Sequence, residues 1–138
     1  MIVAIDYGTR RIGVAKTDPD EKWAFGHCVI EGRDLVFKLE EELNRLNPDL
    51  IVMGLPKNMD GSEGEMAAAV RELAKRLESQ GFKVVLWDER LTSVMVHRFD
   101  TRTLRKAMRD KGEIDLRSAV LILDEYLRMR RNYNGSQP

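Results

Sequence analysis

The chain has 138 residues, 43% of them hydrophobic, with 23 basic and 23 acidic side chains that sum to a formal net charge of zero. That length supports one domain with its own core and not two stacked lobes, and the single cysteine can neither close an internal disulfide nor complete a Cys-based zinc cluster. The longest purely apolar runs, such as Ala119 to Leu123, span about five residues against the ~20 of a membrane span. MIVAIDYG meets an acid at Asp6 with no basic region before it, so no signal peptide is expected. The expectation is a cytoplasmic protein of one domain over 1–138, with no membrane partner.

In chain order, MIVAID (1–6) is an apolar, β-branched strand ending at an acid. YGTR turns, and RIGVAKT (11–17) alternates as a second strand. Asp18-Pro19-Asp20 turns again into WAFGHCVI (23–30), completing an antiparallel meander. From Asp34, read as an N-cap, Leu35, Val36, Leu39, Leu43 and Leu46 form a helical stripe that ends before Pro48. DLIVMG (49–54) reads as a strand buried on both faces, as in a parallel sheet. A loop, LPKNMDGSEGE, leads to a capping box of Ser62 and Glu65, and Met66, Val70, Leu73, Ala74 and Leu77 continue a helix that Gly81 stops. FKVVLW (82–87) is the fifth strand and runs into Asp88-Glu89.

Residues 92–112 read as helical, polar and basic, with Thr92 a natural N-cap. Leu116, Ala119, Val120, Leu123, Tyr126 and Leu127 then define an amphipathic closing helix opened by Asp115, and 130–138 reads as a frayed tail. The fold class expected is α/β: a mixed five-stranded sheet, three antiparallel strands followed by β-α-β-α-β-type right-handed crossovers, flanked by helices.

The zero net charge is a sum of unlike parts. Residues 1–17 carry +2, 18–42 carry −5, 43–89 carry −2 and 90–131 carry +5. If the two basic ends meet in space, they form the electrostatic footprint of a polyanion partner.

Three acids stand where chemistry gathers in an α/β sheet. Asp6 follows the first strand, Glu89 follows the fifth, and Asp115 opens the last helix; groups at the carboxyl ends of strands line the ligand crevice. Crowded carboxylates repel unless a cation neutralises them, and an all-oxygen donor set suits magnesium or manganese rather than zinc. Two such ions fit the in-line displacement of a phosphodiester.

IDYGTRRIGVA (5–15), GLPKNMDGSEG (54–64), DERLTS (88–93) and IDLRSAVLILDEYL (114–127) resemble, in order and spacing, the YqgF/RuvX family of RNase H-like nucleases. The resemblance runs from residue 1 to about 128. It implies an RNase H-like fold and a two-metal endonuclease using Mg2+ or Mn2+, with Asp6, Glu89 and Asp115 as catalytic metal ligands. It also implies processing of the 5′ end of precursor 16S ribosomal RNA, with resolution of four-way DNA junctions as the alternative. The chain departs from the family pattern at Leu116, Arg117 and Ser118, where small residues are usual, and at Met95-Val96, where Glu-Ala is frequent.

Arg10 and Arg11 lie in the turn after Asp6, within reach of the same crevice edge, and suit the scissile phosphate through bidentate geometry. Arg90 adjoins Glu89, where it can hold the backbone of the nucleic acid or brace an acid. Lys57 and Asn58 lie in the glycine-rich loop before the second helix, whose N-terminus can approach a phosphate. Arg98, Arg102, Arg105, Lys106 and Arg109, with Lys111, give residues 98–111 the character of a basic flap over nucleic acid. His97 reads as a surface or core-edge histidine, Cys28 as a small buried hydrophobe, and Trp23 and Trp87 as core or sheet-edge packing.

The partner expected is structured RNA, with branched DNA as the alternative, for a monomer or a homodimer. Two other classes compete. Strand-Asp-x-Gly-Thr also opens actin- and hexokinase-like ATPases, which need a second lobe. A non-catalytic nucleic-acid-binding module would have little reason to keep three acids.

Overall fold

A computed structural model describes residues 1–89 and 111–135, with side chains for 1–89 and 116–132. The elements are β1 (Ile2–Tyr7), β2 (Arg11–Thr17), β3 (Ala24–Glu31), α1 (Leu35–Leu46), β4 (Leu50–Leu55), α2 (Glu65–Ser79), β5 (Val84–Asp88) and, after residues 90–110, a long helix that we call α3 (Lys111–Gly135). They form one five-stranded sheet in the order β3-β2-β1-β4-β5. β1, β2 and β3 pair antiparallel, whereas β4 joins β1 and β5 joins β4 in parallel. The mixed sheet read from the strand patterns is the one observed.

The alternation of side chains across a strand divides the core in two. Val3, Ile5, Ile12, Val14, Ile51 and Met53 face α1 and α2, meeting Leu39 and Leu43 of α1 and Ala67, Val70 and Leu77 of α2. Ile2, Ala4, Ala15, Val52 and Trp87 face α3, meeting Ala119, Ile122, Leu123 and Leu127. Residues 2–5 of β1 and 50–53 of β4 are covered on both sides, which is why these stretches are apolar without a break. Ile122, absent from the stripe read in the sequence, is among the most deeply buried residues of α3. Gly26 on β3 lets α3 settle onto the sheet, since a β-carbon there would lie 2.7 Å from Leu116 Cδ2.

Several local expectations are corrected. Asp6 lies within β1, one residue before its end, and does not follow it. Ser62 and Glu65 form no capping box. Gly64 is the N-cap of α2 and no side chain caps it. Ser62 instead donates its N–H (2.9 Å) and its hydroxyl (2.6 Å) to Asp60 Oδ1 and accepts from Asn58 Nδ2 at 2.9 Å. That local turn competes with the cap for the same hydroxyl. Asp34 does precede α1, but its φ of 56° departs from the extended conformation of a capping residue, and its side chain makes no cap bond.

Asp115 does not open the last helix, which already begins at Lys111, and the expected tail is helical through Gly135 because it continues the turns seated by Leu127. Trp87 is a core residue, whereas Trp23, just before the edge strand β3, is 64% exposed. No helix among the described residues is long and apolar enough to cross a membrane.

Candidate active site

The site begins with register. Ile5 of β1 stands beside Met53 of β4, which places Asp6 level with Gly54, and Gly54 pairs with Trp87 of β5. Asp6, Gly54 and Trp87 therefore form one row near the carboxyl ends of three parallel strands, on the face covered by α3. Glu89 follows β5 directly. Strands β1 and β5 are not neighbours, because β4 lies between them.

Contact across that gap depends on Gly54. A β-carbon at Gly54 would stand 2.3 Å from Glu89 Oε1 and 2.8 Å from Ile122 Cδ1. With only hydrogen there, the Glu89 side chain crosses β4 and its carboxyl meets that of Asp6 in a side-chain hydrogen bond. Burial pushes the Glu89 carboxyl above the usual range, the hydrogen bond with Asp6 opposes this, and the charge of Asp88 adds to the rise. Two carboxyls in contact cannot both ionise cheaply without a cation, so the pair shares a proton or binds a positive ion. Both groups offer only oxygen, the donor chemistry of a hard divalent ion.

Asp115 lies in the first turns of α3, and its side chain is outside the described residues. Arg90 and the basic segment Arg98, Arg102, Arg105, Lys106 and Arg109 also lie outside them.

Arg10 is exposed in the turn between β1 and β2. That turn is tight, since a β-carbon on Gly8 would come within 2.7 Å of the Arg11 carbonyl oxygen. Arg11 belongs to β2 and not to the turn, and its Nε lies 3.1 Å from Glu31 Oε1 on β3. Lys57 and Asn58 occupy the β4–α2 loop. Asn58 shapes that loop, its N–H donating to the Ser62 carbonyl at 2.8 Å and its amide to the Ser62 hydroxyl. Sequence reading missed Gly54. Its signal was a glycine inside an otherwise large and apolar strand, which marks a close approach.

A mixed five-stranded sheet in this order, covered by helices on both faces, defines the RNase H-like fold. The chain belongs to the RuvX family, described as Holliday junction resolvase, whose model matches residues 1–129. It is 41% identical over 131 residues to a protein of Ruminiclostridium cellulolyticum named, as a provisional assignment, pre-16S rRNA nuclease, covering 91% of this chain and 92% of that one. A Yersinia enterocolitica protein of the same name is 39% identical with the same coverage.

Among solved structures, RuvC of T. thermophilus in complex with a Holliday junction substrate superposes with a TM-score of 0.54 at 15% identity, covering 94% of this chain and 95% of that one. The fowlpox virus resolvase, in complex with its substrate junction DNA, gives 0.54 at 11% identity, with 93% and 97% coverage. These two carry the fold.

Proposed function

We propose that the chain is a divalent-metal-dependent endonuclease that cleaves a phosphodiester in structured RNA, namely near the 5′ end of precursor 16S ribosomal RNA. The observation that carries this reading is the Asp6–Glu89 carboxyl pair, held together over Gly54 at the open end of the sheet. The name shared by the relatives at about 40% identity supports the substrate.

Asp6 and Glu89 would hold the metal, with Asp115 as the third ligand, because all three offer hard oxygen donors. Two bound ions, magnesium or manganese, supply Lewis acidity and a nucleophilic water at such a site. The protein's part is to keep the two carboxyls in place on rigid strands, so that little reorganisation is needed when substrate arrives. Arg10, Arg11, Arg90 and Lys57 hold the substrate backbone, and Asn58 contributes through the loop it shapes. Arg98, Arg102, Arg105, Lys106 and Arg109 add phosphate contacts.

A second reading, resolution of four-way DNA junctions, is favoured by the description of the matching family and by the junction-bound structures of the same fold. Cleavage of labelled precursor 16S rRNA and of a synthetic four-way junction, with magnesium, manganese or EDTA, distinguishes the two. Wild type is expected to cut the RNA with either metal, and Asp6→Asn is expected to cut neither substrate. Equal cutting by the variant, or cutting in EDTA, refutes the metal-nuclease reading. Preference for the junction selects the alternative. Reversing Arg102, Arg105 and Lys106 to Glu is expected to weaken binding and flatten its salt dependence, and unchanged affinity refutes their role.

A further inference from the structure

Away from the carboxyl pair, strand β3 carries an irregularity that gathers three potential metal ligands. Opposite β2, Val14 pairs with Cys28 and Ala15 pairs with Gly26, so His27 is an extra residue in the ladder, a β-bulge. In a regular strand His27 and Cys28 would point to opposite faces of the sheet. Gly26 sits beneath Leu116 on the α3 face, while Cys28 packs with the core under α1 and α2. The bulge turns His27 to the α1 side as well, where its Nε2 lies 2.5 Å from Glu42 Oε1 of α1. Bulges re-aim side chains in this way and recur beside functional sites.

The imidazole nitrogen, the Cys28 sulfur and a Glu42 carboxylate oxygen all lie within 4.8 Å of one another. The His27 and Glu42 side chains are largely covered, at 16% and 18% exposure. From these positions we infer that His27, Cys28 and Glu42 form a zinc site that clamps the edge strand β3 to α1 and leaves a fourth coordination position open to water or an added ligand.

The donor set is the reason for zinc. A thiolate, an imidazole and a carboxylate are all ordinary zinc ligands, whereas magnesium and manganese favour oxygen alone. Zinc bonds of roughly 2.0–2.3 Å set the edges of a tetrahedron at about 3.5 Å. The donors reach that spacing if the His27–Glu42 contact opens by about 1 Å and the widest pair closes by about as much. Arg45, which ion-pairs with Glu42 from the rim of the site, is largely exposed and free to turn to solvent. Burial holds the Cys28 thiol above its ordinary pKa, so the thiol is protonated before binding. Coordination releases that proton to water as the sulfur–metal bond forms.

The test uses the full chain, reduced and stripped of metal, titrated with cobalt(II) as a spectroscopic stand-in and then with zinc. Wild type is expected to show a thiolate-to-cobalt charge-transfer band that saturates at one equivalent and is displaced by zinc. Cys28→Val, which keeps the packing, should abolish the band while the far-ultraviolet circular dichroism stays native. His27→Gln and Glu42→Gln should each weaken binding by about 10-fold or more. The double variant Asp6→Asn, Glu89→Gln should retain the band in full, which separates this site from the carboxyl pair. Absence of the band in wild type, its persistence in Cys28→Val, or its loss in the double variant overturns the assignment.

Discussion

Glu89 lies across Gly54, with its Oε1 only 2.3 Å from where a β-carbon would stand. That clearance lets a carboxyl beyond β5 reach one on β1 over the intervening strand. Gly54→Ala should therefore leave the fold intact and displace Glu89, lowering the cleavage rate by about 100-fold, the scale of an ångström's misplacement in an active site. Rate measurements on precursor rRNA, with circular dichroism as the folding control, check it. A rate within about twofold of wild type would show that the crossing is dispensable.

Glu89 also sets a cost that depends on pH. Its carboxyl titrates above the ordinary value of 4.5, first because it is buried and further because of Asp88, against the opposing hydrogen bond from Asp6. The folded chain thus holds a proton that the unfolded chain has already lost, and stability falls as pH rises from 4.5 through the folded value. In EDTA, Glu89→Gln should be more stable than wild type at pH 8 and equal to it near pH 4, while its nuclease activity is lost. Denaturant melts at the two pH values decide this. A variant less stable at pH 8 would contradict it.

The opposite sign holds at Glu42. Hydrogen bonds from His27 first and Arg45 second, together with their charges, keep its carboxyl below 4.5. The stability this provides is fully present above pH 4.5 and is lost as pH falls through the folded value. Glu42→Gln in metal-free protein should cost about 1 kcal/mol at neutral pH and progressively less in acid. A cost independent of pH would show that packing, not charge, is what Glu42 contributes.

The α3 face of the sheet is expected to be sensitive to volume. Leu123 is wholly buried between α3 and the sheet, so Leu123→Ala should cost about 2–4 kcal/mol. Met129, two turns on and 47% exposed, should tolerate alanine within about 0.5 kcal/mol. Urea midpoints at constant slope give both values.

Much of this protein is legible along the chain because its signals are local. The unbroken apolar run 50–53 marks a strand covered on both faces, and the helical stripes of Leu39 with Leu43 and of Val70 with Leu77 name the residues that α1 and α2 bury. Asp6 and Glu89 stand out as acids placed against strands. Ser62 was misread because its hydroxyl had two local uses, and spacing alone did not show that Asp60 and Asn58 would take it instead of the helix end.

The sequence by itself determined the element order and the mixed sheet, since periodicity and turn residues act over a few positions. Only the tertiary structure decided that β4 lies between β1 and β5, and hence that Gly54 must be bare for Asp6 and Glu89 to meet. It alone revealed the bulge that turns His27 to the side of Cys28 and Glu42. Strand order and ladder register arise from long-range pairing, and no spacing along the chain records them.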